Sequence, residues 1–192
     1  MGLIKGIVRL GILFALLITQ LVALNGFQWQ NYGYFTMQSN ALATLFILFV
    51  LIASWYNPQL LTQRWIALIH GLVVFCLTIT SLVYFILVAP GLDDGFTRPA
   101  FLLTHGLTPL LVLVEWLLFW PGKRFQYLDL PLWALYPLGY FILCQVLQTY
   151  PYAFMNPLIH GYGTVWLTLV VLIPVLGIVG LVLTIVDRLR AG

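Results

Sequence analysis

Two residues of this sequence have the side chains for covalent chemistry. Thr36 stands in the run Phe35-Thr36-Met37-Gln38-Ser39-Asn40, and His105 follows Thr104 near the start of an apolar stretch. A hydroxyl is a weak nucleophile until a base takes its proton. Histidine is the usual base, because its pKa lies near neutrality. Ser39 is one helical turn from Thr36, and Asn40 adjoins it. Either could donate a hydrogen bond to a developing oxyanion, and Ser39 could itself be the nucleophile. A structural alternative stands beside each reading. Thr, Ser and Asn in apolar helices commonly bond the backbone or a neighbouring helix, and a lone histidine can serve packing alone.

The elements that must hold these residues are set by composition. Of 192 residues, 62% are hydrophobic and 7% charged, against roughly 45–50% and about 25% in soluble domains. So few charges could not cover the surface of a water-soluble fold, whereas a bilayer removes that need. Six apolar segments follow, roughly Gly6–Leu24, Ser39–Trp55, Ile66–Ala89, Phe101–Trp120, Leu132–Leu147 and Gly163–Val186. The second and fifth are short and should extend into their flanks. Pro174 should kink the sixth. Turn-formers separate them, including Asn57-Pro58, Pro90-Gly91, Pro121-Gly122 and Asn156-Pro157. The expected fold is all-α: one domain over residues 1–192, a polytopic membrane protein built as a six-transmembrane-helix bundle.

Orientation follows from the basic residues. With the N-terminus inside, the inner flanks hold Lys5, Arg9, Arg64, Lys123, Arg124, Arg188 and Arg190, and the outer loops hold only Arg98. That bias predicts both termini on the cytoplasmic side. The same placement makes the net charge of +3 a topology signal, with no nucleic-acid partner. Trp29, Tyr32, Tyr150 and Tyr152 read as anchors of the outer face, and Trp55, Trp65, Trp120 and Trp133 as anchors of the inner face.

Polar groups gather in the outer half. Thr19, Gln20 and Asn25 come from the first segment, Thr36 to Asn40 from the second, Thr104, His105 and Thr108 from the fourth, and Gln145 and Gln148 from the fifth. Four segments thus deliver polar groups to about one depth, which predicts a pocket opening to the outer side or outer leaflet. Gln145 joins Ser39 and Asn40 as a candidate for its wall. Deeper in, Glu115 is the only carboxyl group inside a predicted span, about 15 Å below His105. His70 lies at a similar depth, and a His70–Glu115 hydrogen bond would offset the burial of both. His160 reads as a surface or capping residue, and Asp93-Asp94-Gly95 as a turn. Cys76 and Cys144 fall in apolar runs as packing residues. The sequence has no C-x-x-C or H-E-x-x-H spacing, so neither a metal nor another cofactor is expected.

The run Tyr34-Phe35-Thr36-Met37-Gln38-Ser39-Asn40, then His105 with Pro109 and Glu115, then Tyr150-Pro151-Tyr152-Ala153-Phe154 resembles the androgen-induced protein family, especially its bacterial six-helix members. The family includes integral membrane hydrolases of fatty acid esters of hydroxy fatty acids. The resemblance runs through the chain in matching order, with His-x9-Glu its most specific element. It implies a threonine nucleophile and a histidine base, carried onto Thr36 and His105. No acidic residue to orient His105 is visible. The expected activity is hydrolysis of a lipid ester inside a bacterial inner membrane, with a membrane lipid or lipid ester as partner. A non-catalytic membrane protein binding a lipid or small molecule in the same pocket is the alternative. A transporter using Glu115 would need polar groups through both halves.

Overall fold

The computed structural model describes residues 2–24, 29–93, 95–120 and 124–190. Asn25, Asp94 and Lys123 lie outside the described residues. Among them the chain forms six helices and no strand: α1 (Leu3–Leu24), α2 (Phe35–Tyr56), α3 (Arg64–Gly91), α4 (Pro99–Phe119), α5 (Asp129–Val146) and α6 (Pro157–Leu189). Five of these, all but α5, are long and apolar enough to cross a membrane, as a multi-pass membrane protein requires. α5 is the shortest and opens on Asp129. The outward faces agree with a lipid environment. Leu3, Ile7, Leu10, Phe14, Leu17 and Leu21 are exposed along one stripe of α1, an apolar surface that water would not tolerate.

α3 is the centre of the bundle and packs against α2, α4, α5 and α6. Val73, Phe75, Cys76 and Leu77 are completely enclosed there. Gly71 permits the approach of α5, since a Cβ at that position would fall 2.0 Å from a ring carbon of Trp133. Trp133 is therefore a core residue rather than an interfacial anchor, and its indole N–H donates to Leu68 O at 3.0 Å. Trp55, by contrast, is 81% exposed on the surface of the bundle.

Two helices pass through a π-helical turn, each just ahead of a proline. α3 passes into a π-helical turn over Tyr84–Val88 before Pro90, and α4 does so over Leu103–Leu107 before Pro109. Proline lacks an N–H and collides with the carbonyl four residues back, so an inserted residue upstream relieves the clash. For Pro109 the stranded carbonyl is that of His105, and Ser81 Oγ donates to it at 2.5 Å. In α6 the non-helical dihedrals fall at Gly161 (φ 76°, ψ 153°), not at Pro174. A positive φ of this kind suits glycine.

The end of the bundle that carries both chain termini is tied by charges. Arg64 pairs with Asp129. Asp187 Oδ2 accepts from the backbone N–H groups of Arg124 and Phe125 at 2.6 and 2.9 Å. Asp187 is fully buried, one residue beyond the sixth span read from the sequence.

Candidate active site

Thr36 is the second residue of α2, where a backbone N–H has no intrahelical acceptor. That N–H donates instead to the hydroxyl of Tyr152, at 3.2 Å. The Thr36 side chain faces the same way: Oγ1 lies 3.0 Å from His105 Nε2 and 3.2 Å from the Tyr152 hydroxyl. Both Thr36 and His105 are 8% exposed.

The protonation of His105 follows from its partners. Nδ1 lies 3.0 Å from Phe101 O and 2.8 Å from Thr104 Oγ1. A carbonyl can only accept, and the Thr104 hydroxyl already donates to Ala100 O at 2.9 Å. Nδ1 therefore carries the proton. Nε2 then presents its lone pair to Thr36, the arrangement a general base needs. The orienting group that the sequence lacked is thus a main-chain carbonyl rather than an acid. Tyr84 stacks on the imidazole, with centroids 3.7 Å apart and planes 15° off parallel. Its hydroxyl donates to Gly95 O at 2.6 Å. The two π-turns meet here, since one carries His105 and the other begins at Tyr84.

Ser39 and Asn40 are placed differently from the oxyanion-donor role considered for them. Both are fully buried, and neither lines the cavity beside Thr36. Ser39 Oγ donates to Thr36 O at 3.0 Å and meets Thr80 Oγ1 at 2.8 Å. Asn40 Nδ2 donates to Thr36 O and Thr104 O at 2.9 and 3.1 Å, and its Oδ1 accepts from Thr108 at 2.7 Å. Asn40 thereby ties the main chain beside the nucleophile to the main chain beside the base. Gln145 does not line the cavity either, and its amide donates to the main chain of a lining residue, Met155 O, at 2.9 Å. Gln20 accepts from the Tyr32 hydroxyl at 3.0 Å, and Thr19 donates back to Ala15 O at 2.9 Å. His160 does not line the cavity.

Tyr152 is the member of this cluster that sequence reasoning passed over, having been taken as an interfacial anchor. Burial pushes its phenol above the usual tyrosine value, so it remains a donor at neutral pH. The available signal was its place in Tyr150-Pro151-Tyr152, a loop rigid enough to aim a ring inward.

A cavity of about 380 Å³ adjoins this cluster. Thr36, Thr80, Tyr84, His105, Tyr140 and Tyr152 give one polar side. Most of the remaining wall is aliphatic or aromatic, from α3, α5 and α6. Ile86 and Leu87 of α3 and Leu167 and Val171 of α6 line it while being more than half exposed. The cavity therefore opens sideways, between α3 and α6, onto an apolar face of the bundle.

The second polar cluster lies toward the end carrying the termini. His70 Nε2 is 3.5 Å from Glu115 Oε2, but the close partners of Glu115 are others. Arg9 Nε donates to it at 2.7 Å and the Trp120 indole N–H at 3.0 Å. Arg9 is 5% exposed, so it is an internal counter-ion as well as a charge on one side of the bundle. His70 is held by stacking on Phe46 and tilted contact with Trp120, at 4.9 and 4.3 Å between centroids.

Comparison with family models, with curated proteins and with solved structures finds no match to this chain.

Proposed function

We propose that this protein is an intramembrane hydrolase of lipid esters, of the type that splits fatty acid esters of hydroxy fatty acids, with Thr36 as nucleophile and His105 as base. The observation that carries the reading is the 3.0 Å contact of Thr36 Oγ1 with His105 Nε2 on the wall of a laterally open apolar cavity. A hydroxyl hydrogen-bonded to a correctly oriented imidazole beside a cavity is the geometry of acyl transfer.

Thr36 Oγ1 attacks the ester carbonyl while His105 Nε2 takes its proton. The carbonyl oxygen becomes an oxyanion, received by the Tyr152 hydroxyl and the backbone N–H of Thr36. The tetrahedral adduct collapses, the C–O bond to the alcohol breaks, and His105 gives its proton to the leaving alkoxide. Water then attacks the acyl-threonine with His105 again as base, releasing the acid and restoring Thr36. Phe101 O and Tyr84 keep the ring in place throughout, and none of these steps uses a cofactor.

The same reading puts six helices across the membrane, with α5 spanning about 27 Å, and both termini on the cytoplasmic side of a bacterial inner membrane. The Thr36–His105 cluster then lies in the outer half, and the cavity mouth opens to the outer leaflet. A reporter fused after Gly192 should be cytoplasmic; its appearance outside would reverse this orientation.

The deciding experiment uses purified protein, a panel of lipid esters and an electrophilic probe for serine and threonine hydrolases. Ester cleavage should be lost in Thr36→Ala, and the probe should label Thr36 in the wild type but not in His105→Ala. Cleavage untouched by Thr36→Ala would remove the mechanism, and labelling at Ser39 would reassign the nucleophile. Lipid binding without turnover or labelling would leave a lipid-binding protein.

A further inference from the structure

A second cavity, of about 260 Å³, lies at the end of the bundle that carries the termini, and is separate from the Thr36–His105 cluster. Its volume is roughly nine times the ~30 Å³ that a water molecule occupies in the liquid. Three cations line it: Lys5 and Arg9 from α1, and Arg124 from the segment before α5. Gly2 brings the N-terminus of α1 to the same wall, adding the positive end of a 22-residue helix.

No carboxylate lines this cavity among the described residues. Glu115 sits behind Arg9 and balances that one charge. Asp129 is committed to Arg64, and Asp187 to the backbone N–H groups of Arg124 and Phe125. Lys5 and Arg124, the latter partly offset by the charge of Asp187, give the cavity wall an excess of positive charge. Arg124 is also fixed there. Its guanidinium donates to Leu61 O at 3.0 Å and Gln63 O at 2.8 Å, so little rotamer entropy remains to be lost on binding. Burial lowers the Arg124 pKa; the Asp187 carboxylate opposes this, and the neighbouring Arg64 charge adds to the lowering, which an anion in the cavity would oppose.

A preference for basic residues on the cytoplasmic side accounts for cations at this end. It does not account for three of them converging on one cavity whose remaining wall includes Leu61, Phe119 and Trp120. Cations beside apolar side chains, at the depth where helices meet the interface, suit a phosphate group with hydrocarbon attached. We infer that Lys5, Arg9 and Arg124 form a phosphate-binding site at the terminus-bearing end of the bundle. The group can come from a phospholipid head or from free phosphate. This site does not depend on the hydrolase reading.

The test uses the full-length protein in detergent and three probes: a short-chain dialkyl-ether phosphatidate that cannot be hydrolysed, the matching phosphatidylcholine ether, and inorganic phosphate. One phosphatidate should bind per chain, at least about tenfold tighter than the phosphatidylcholine. Lys5→Glu should weaken it at least about tenfold. The Lys5 side chain is exposed, so this change leaves the fold intact, and an unchanged unfolding temperature would verify that. Tighter binding of phosphatidate than of inorganic phosphate identifies a lipid head. Equal binding of the two, both sensitive to Lys5→Glu, identifies free phosphate. Absence of binding by both, or binding indifferent to Lys5→Glu and Arg124→Gln, overturns the site. Phosphatidate held only in the larger cavity would show that indifference.

Discussion

The two polar clusters of this bundle are built from similar materials to different ends. Around Thr36 the groups are neutral, and Thr36, His105 and Tyr152 all border a cavity. Around Glu115 the groups are charged, Glu115 itself has no exposed surface, and a tryptophan, a histidine and an arginine close over it. A nucleophile must meet its substrate, so it belongs where packing leaves room. An ion pair in hydrocarbon must instead be sealed, because removing either partner strands a charge. The difference shows that polarity inside a membrane helix does not by itself mark a catalytic site. What sets the Thr36 cluster apart is an unfilled volume next to a lone pair and a hydroxyl that face each other.

That contrast can be broken by separating activity from stability. The largest effect is expected from Thr36→Ala, which should lower ester turnover by about 10³-fold or more while shifting stability by about 1 kcal/mol or less. If turnover survives, the catalytic half of the comparison fails. Glu115→Ala should do the reverse, costing about 3–5 kcal/mol by leaving Arg9 buried without its counter-ion. Chemical unfolding in detergent would measure this, and turnover per folded molecule should persist. Replacing Arg9 and Glu115 together by methionine should recover most of the loss, since no charge is then stranded. Tyr152→Phe sharpens the catalytic half. Removing one oxyanion donor should cost about 10²-fold in kcat with little change in KM. The smallest effect belongs to His70→Phe. His70 Nε2 has no hydrogen-bond partner closer than the 3.5 Å to Glu115, while its ring packs on Phe46 and Trp120. The change should therefore move stability by only about 1 kcal/mol; a loss as large as that of Glu115→Ala would make the histidine an equal member of the ion pair.

Much of the helix plan was legible in the sequence, because apolar length and proline- and glycine-rich breaks are local properties. α5 was the weak case: Asp129, Pro131 in the first turn, the internal Pro137 and its tyrosines dilute the hydropathy that identifies the other five helices. Thr36 and His105 stood out because their chemistry is carried by side-chain type. Trp120, Trp133 and Tyr152 were misread for a common reason. Each sits near the end of an apolar run, where residues of these types usually face the interface, and only the packing reveals which way a side chain turns. The orienting partner of His105 could not be read at all, since a backbone carbonyl has no letter in the sequence. Ser39 and Asn40 were correctly grouped near Thr36, but spacing could not say that their donors point at the main chain.

The π-turn at Leu103–Leu107 has a consequence for how this chain tolerates insertion and deletion. Each residue of a regular helix advances it by 1.5 Å and about 100°, and a π-turn is a place where one extra residue has been absorbed. Deleting one residue between 103 and 107 would restore an ordinary helix and keep the apolar character of α4. It would also swing everything on one side of the deletion by about a third of a turn relative to the other. His105 lies within that joint and Glu115 beyond it, so after a deletion at 106 or 107 the two could no longer both face their partners. A chain shortened there could still insert and fold around Arg9 and Glu115 while carrying its imidazole to the wrong face. Loops between helices can lengthen or shrink without touching this register, which makes the joint far less forgiving of length change than the loops.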